Sequence, residues 1–94
     1  MPVEGRPDAL RASLFMHAQR LAGALNAVAK GPQFSYRQAR ATARKEPNVD
    51  WEATKRLNED FNPDVDGCES FVLTDGSVCQ WNPSRRAFAA RAGS

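Results

Sequence analysis

The sequence predicts an α+β domain in which three helices pack on an antiparallel β-hairpin, with a third strand or a short helix at the tail. Three observations predict it. Apolar residues recur at spacings of three and four from Leu10 to Val28, the signature of an amphipathic helix. Two shorter segments follow, each opening on a capping residue and carrying an apolar stripe of its own. Two β-rich runs then flank the dipeptide Asp75-Gly76, a strong hairpin signal.

Pro7 and Asp8 open the first helix. Proline loses no hydrogen bond in a first turn, and an acid there faces the positive end of the helix dipole. Leu10, Leu14, Ala18, Leu21, Leu25 and Val28 lie within about 80° of arc, so this helix is expected to be the spine of the core. Phe15 falls off that stripe and either packs a second element or stays exposed. Lys30 and Gly31 close the helix, with Pro32 as a stop.

Ser35 caps the second helix. Gln38 stands three residues on, the spacing of a capping box. The helix runs to about Lys45 and stops before Pro47. Tyr36, Ala39 and Ala43 share one face, and Arg37, Arg40 and Arg44 share its neighbour.

Asp50 or Asn48 caps the third helix, which runs to Phe61 with Leu57 and Phe61 on its apolar stripe. Its outer face carries Glu52, Lys55, Arg56, Glu59 and Asp60, a solvated pattern with a favourable Glu52–Arg56 pair at i,i+4.

Residues 62–67 form a loop by composition. In the hairpin, a two-residue type I′ turn pairs Thr74 with Ser77, Leu73 with Val78, Val72 with Cys79, Phe71 with Gln80 and Ser70 with Trp81. That register puts Phe71, Leu73 and Val78 on one face, and Val72, Cys79 and Trp81 on the other. It leaves Cys68 about 13 Å from the position opposite Cys79, too far for a disulfide, so reduced thiols are expected. The tail from Pro83 reads as a short helix in preference to a strand, because Asn82-Pro83 resembles a cap with proline at N1, and alanine and arginine favour helix.

The chain has 94 residues, 41% hydrophobic and 26% charged. Those values fit one domain over residues 1–94, ordered from about 8 to 90, with a modest core. No apolar run of about 18 residues is present, so no membrane span or membrane partner is expected. The first residues lack the basic start and apolar stretch of a secretory signal, which predicts a cytoplasmic protein.

The net charge of +2 is unevenly spread. Residues 9–45 hold Arg11, Arg20, Lys30, Arg37, Arg40, Arg44 and Lys45 and no acid, whereas residues 46–76 hold nine acids against Lys55 and Arg56. Either the two stretches pack together and screen each other, or a basic surface remains for an anionic partner. The Arg37, Arg40 and Arg44 stripe, with Lys45 beside it and Tyr36 close enough to stack, is the candidate contact surface. Guanidiniums fork onto carboxylates or phosphates. The plainer alternative pairs these arginines with the acidic third helix or its loop. A second candidate contact is Trp81. If it shares with Val72 a hairpin face that no helix covers, it marks a protein interface or a homodimer seam. The alternative places it in the core.

The order helix, helix, helix, hairpin resembles a winged helix-turn-helix domain, in topology alone and without that family's first short strand. The resemblance covers about residues 8–82. It implies nucleic-acid binding, with the third helix in the major groove and the hairpin as the wing. The third helix argues against this: Asp50, Glu52, Glu59 and Asp60 outweigh Lys55 and Arg56, a balance that repels phosphate.

Asn62, Asp64, Asp66 and Gly67 match the opening of an EF-hand-like calcium loop. Position twelve is Leu73, which supplies no carboxylate, and a strand follows where a helix should. A plain acidic turn is the preferred reading, with a calcium-binding domain the weakest of the functional alternatives. His17, the one histidine, falls on the apolar stripe of the first helix, where a half-buried packing role is expected. No nucleophile–base pair, phosphate loop or metal spacing is evident. The expected function is therefore that of a non-enzymatic binding or regulatory module without a cofactor. It would meet a macromolecular partner with an acidic surface, a protein in preference to nucleic acid.

Overall fold

The structure is a computed structural model that describes residues 15–92. The elements in chain order are α1 (Met16–Val28), α2 (Tyr36–Ala43), α3 (Trp51–Leu57), α4 (Pro63–Asp66), β1 (Phe71–Val72), β2 (Val78–Asn82) and β3 (Ala87–Arg91). The strands form one antiparallel sheet in the order β1-β2-β3. The α+β class is as expected. The order departs from a winged helix: the turn α4 intervenes before the hairpin, and a third strand follows it. The predicted helix start at Pro7 and Asp8, and the stripe residues Leu10 and Leu14, lie outside the described residues.

Helix α1 lies on β3 and β2. Ala18, Leu21, Ala22 and Leu25 are its buried positions, whereas Val28, expected on the stripe, is exposed. Phe15 precedes the helix and packs, half-buried, against the core. The capping box of α2 forms as the spacing predicts: Ser35 Oγ accepts from the Gln38 amide, and Gln38 Oε1 accepts from the Ser35 amide at 3.1 Å. Ala39 and Ala43 are buried against the same core. At α3, Asp50 is the cap, accepting from Ala53 N at 3.1 Å. This helix ends four residues short of the expected Phe61. Its inward residue is Thr54, while Leu57, expected to be buried, is half exposed.

The hairpin register differs by one residue from the expected one. Phe71 pairs with Cys79 and Val72 with Val78. The loop has three residues, Thr74, Asp75 and Gly76. Gly76 N donates to Leu73 O at 2.9 Å, Leu73 N donates to Ser77 O at 2.9 Å, and Gly76 has φ +87°. This is a type I turn closed by a left-handed glycine, the other turn that an Asp-Gly pair can build. Two contacts hold it. Asp75 accepts from both the amide and the hydroxyl of Ser77, and Thr74 N donates to Asn48 O in the α2–α3 loop. A one-residue shift moves side chains to opposite faces. Phe71, Leu73, Cys79 and Trp81 therefore all point into the core beside Phe88, and Val72 and Val78 sit on the outer face.

The tail is strand β3, not the favoured helix. Asn82 Oδ1 accepts from Ser84 N at 3.0 Å and Arg85 N at 3.2 Å, Arg86 adopts φ +52°, and the chain reverses. Pairing along β2 and burial of Phe88 override the helix propensity of alanine and arginine.

Both sheet edges are covered by polar side chains from helices. Along β1, Thr54 Oγ1 accepts from Val72 N at 2.9 Å, and Asn58 exchanges two bonds with the Ser70 backbone at 2.7 and 3.1 Å. Along β3, Asn26 of α1 donates to Phe88 O at 2.9 Å and accepts from Phe88 N at 2.8 Å. Each amide thus imitates a neighbouring strand and closes an edge that would otherwise pair with another chain.

Candidate functional site

Helices α2 and α3 frame a cleft of about 350 Å³, lined by Arg40, Arg44, Trp51, Glu52, Lys55 and Glu69, among others. Ser35 and Asp50 fix the starts of the two helices. Arg40 and Arg44, four residues apart, are thereby aimed from α2 toward α3, and both line the cleft.

Arg40 and Glu69 form a forked ion pair. Arg40 Nε donates to one carboxylate oxygen at 2.9 Å and Nη2 to the other at 3.3 Å. The Glu69 side chain is 6% exposed and that of Arg40 46%. The hydrogen bond to Glu69, and then the Glu69 charge, push the Arg40 guanidinium above its already high range, so it remains cationic at any working pH. The Arg40 Cζ also lies 6.0 Å from the centre of the Tyr36 ring. Tyr36 in turn meets Phe61 edge-on at 5.8 Å. Tyr36 is thus a half-buried packing residue that steadies Arg40.

Arg44 behaves differently. Its Cζ stands 5.6 Å from the centre of the Trp51 ring, within cation–π range. Trp51 is itself fixed edge-on against buried Phe71 at 6.0 Å. Arg37 and Lys45 are exposed, and among the described residues neither forms an ion pair. The arginine stripe is therefore divided: Arg40 is paired internally, Arg44 is stacked at the cleft, and Arg37 and Lys45 face outward.

A second polar group ties α1 to the α2–α3 loop. Arg20 pairs with Glu46 at 3.3 Å, and Asn48 donates to Glu46 at 3.0 Å through its side chain. Burial alone would raise the Glu46 carboxyl. The Asn48 hydrogen bonds and the Arg20 charge outweigh it and hold the group below its ordinary range. His17 Nδ1 lies 2.8 Å from Arg20 Nη2 and 3.2 Å from Asn48 Nδ2. Both neighbours are donors, so Nδ1 faces them as an acceptor.

The remaining expected sites fall elsewhere. Trp81 is 9% exposed and packs against Phe88 at 4.8 Å and Phe34 at 6.2 Å, so it lies in the core and not in an exposed hairpin patch. The register explains this, since it turns Trp81 and Val72 to opposite faces. Asn62, Asp64 and Asp66 form the turn α4, not an open ligand loop. Asn62 Oδ1 accepts from Asp64 N at 3.0 Å, and an Asp66 oxygen accepts from Asn62 N at 2.9 Å. Among the described residues no three His, Cys, Asp or Glu side chains are grouped to hold a metal ion. Cys68 and Cys79 are free and buried, and burial pushes their thiols up to about 11 and about 12. No described helix is long and apolar enough to cross a membrane.

Sequence reasoning missed Glu69, which is 29 residues from Arg40 and carries no local signal. It also did not anticipate the cleft, although Glu52 and Lys55, which line it, are exposed as expected. The signal available was the phase of Trp51, one residue past the Asp50 cap and so turned back toward α2. Comparison with protein-family models, with curated proteins and with solved structures gave no match for this chain.

Proposed function

We propose that this protein is a non-enzymatic binding module that takes an acidic segment of a protein partner into the α2–α3 cleft. The observation that carries the reading is Arg44, an exposed cation 5.6 Å from the centre of the Trp51 ring, with both residues lining the cleft. Arginine on an aromatic plane keeps its fork free for a carboxylate while losing little side-chain freedom. Arg37 and Lys45 on α2 and Lys55 on α3 add positive charge around it. Glu52 and Glu69 oppose a large polyanion but tolerate a short acidic segment that meets the cations one at a time. That feature favours a protein partner over a nucleic acid.

The test is titration of Trp51 fluorescence with an acidic peptide of alternating Glu and Leu, and in parallel with a duplex oligonucleotide. The reading expects saturable binding of the peptide, weakened by salt and lost in the Arg37→Ala, Arg44→Ala double variant. Absence of peptide binding at low ionic strength overturns it. Tighter binding of the duplex, with a steep salt slope, replaces it with the nucleic-acid alternative.

A further inference from the structure

The outward face of β2 and β3 carries a pattern that neither the cleft nor the core uses. Trp81 and Phe88 are paired and buried, so Gln80, Asn82, Ala89 and Arg91 point the other way. All four are exposed. A groove of about 300 Å³ lies along them and ends at Pro83. Strand β1 pairs only with Val78 and Cys79, so from Gln80 to the turn the sheet is a two-stranded ribbon. The hydrogen bonds fix how both carboxamides on this face are turned. Asn82 Oδ1 accepts from Ser84 N at 3.0 Å and Arg85 N at 3.2 Å, and Gln80 Oε1 accepts from Arg91 Nη1 at 2.6 Å. Backbone amides and guanidiniums only donate, so each side chain must offer them its oxygen and keep its NH2 group for something else. Among the described residues neither NH2 group has a partner. Residues 77–92 contain no aspartate or glutamate, and Arg85 and Arg86 add positive charge at the turn. Acids flank the ribbon without lying on this face: Asp60 and Asp66 line a notch with inward-pointing Trp81, and Asp75 is turned to Ser77 in the hairpin loop.

The face thus offers donors and positive charge, and its side-chain oxygens are already engaged. Its complement is rich in acceptors, negatively charged and narrow enough to meet two strands. The major groove of B-DNA admits a two-stranded ribbon, and guanine shows two acceptors there, whereas adenine shows one acceptor and one donor. A carboxamide with both ends free reads adenine. With the oxygen held, as at Gln80 and Asn82, the remaining NH2 group suits guanine. The arginines alone would suit an acidic protein equally well. The neutral NH2 groups decide for base edges, because an acidic segment gains more from cations than from carboxamides. We infer that the outward face of β2 and β3 is a second binding surface, for the major groove of G·C-rich double-stranded DNA, with Gln80 and Asn82 donating to guanine and Arg85, Arg86 and Arg91 meeting phosphates. It is independent of the α2–α3 cleft. Trp51 packs against inward-facing Phe71, so a titration followed at Trp51 does not report on this face.

The experiment is fluorescence anisotropy of a short, end-labelled duplex of G·C pairs, titrated with the full chain carrying Arg37→Ala and Arg44→Ala, so that the cleft does not contribute. Saturable binding is expected, with a log–log salt slope of roughly −3, about −0.9 for each of the three arginines. An A·T duplex is expected to bind about tenfold more weakly. Asn82→Asp and Gln80→Glu are near-isosteric. Each keeps the oxygen that is held internally and turns the outward NH2 group into a second oxygen, so the fold is kept and binding falls about tenfold or more. Gln19→Glu makes the same charge change at an exposed position on α1 and is expected to leave binding nearly unchanged. The inference is overturned by absence of binding at low salt or by equal affinity for the A·T duplex. Equal affinity for an RNA duplex, whose deep, narrow major groove side chains do not read, also overturns it, as does a loss in Gln19→Glu as large as in the two face variants. Displacement of the duplex by a Glu/Leu peptide overturns it in favour of an acidic protein as the occupant.

Discussion

Asn26 is the side chain whose removal tests the architecture most sharply. It makes two hydrogen bonds to the Phe88 backbone, 62 residues away, along the β3 edge. Replacing it with leucine keeps the branched skeleton, with bulkier ends, and removes both bonds. Each polar group left unsatisfied costs about 1–3 kcal/mol, and the lower end applies because the site is part-buried and water reaches some of it. The expected loss is about 2–3 kcal/mol. At 4–8 °C per kcal/mol for a domain of this size, Tm falls by roughly 8–24 °C. Asn26→Asp is a finer probe. It retains the acceptor for Phe88 N but sets a carboxylate against Phe88 O, and protonation restores a donor. Its deficit should therefore shrink as pH falls below the carboxylate range, while that of the leucine variant should not. Urea and thermal melts measure the stability, and hydrogen exchange at the Phe88 amide reports the bond itself. A leucine variant within about 0.5 kcal/mol of the parent, or a rapidly exchanging Phe88 amide in the parent, refutes the reasoning.

Further outcomes follow from the same geometry. Thr54→Val is nearly isosteric and orphans the Val72 amide, so it is expected to cost about 1–2 kcal/mol in urea melts, with the β1 edge amides losing exchange protection first. Cys68 and Cys79, with thiols pushed up to about 11 and about 12 by burial, should resist a thiol reagent at pH 8 in the native state and react with it in denaturant. Glu46 is held below its ordinary value of 4.5. Its folded-state preference for the charged form contributes stability that is present above that value and lost as pH falls through the depressed folded value. The stability difference between the parent and Glu46→Gln, measured by urea melts from pH 7 to 3, should therefore narrow on acidification. A constant difference would contradict the Asn48 and Arg20 contacts.

Features confined to one turn of chain were legible in the residues alone. The Ser35–Gln38 box and the Asp50 cap each involve partners three positions apart, and each formed where its spacing predicted. The Asp75-Gly76 dipeptide announced a hairpin but not its register, because two turn geometries accept the same pair. Asp75 holding Ser77, and Asn48 bonding Thr74, chose between them. That choice turned Trp81 from a candidate surface residue into core. The tail went the same way: local propensity favoured helix, and pairing with β2 plus the burial of Phe88 favoured strand.

The arginine stripe shows the division at the candidate site. The sequence placed Arg37, Arg40 and Arg44 on one helical face, since that follows from 100° per residue. Which of them stays available depended on Glu69 and Trp51, whose approach is set by packing α2 and α3 against the sheet. The amides of Asn26 and Asn58 make the same point for the fold. Their composition says only that they are polar, and their role as edge caps exists only once a strand lies beside them. The chain by itself determined its caps, its faces and its separated charges, because those rest on neighbours a few bonds away. Register, edge closure and the fate of each cation were decided by tertiary structure, because they rest on partners tens of residues distant that meet only when the core forms.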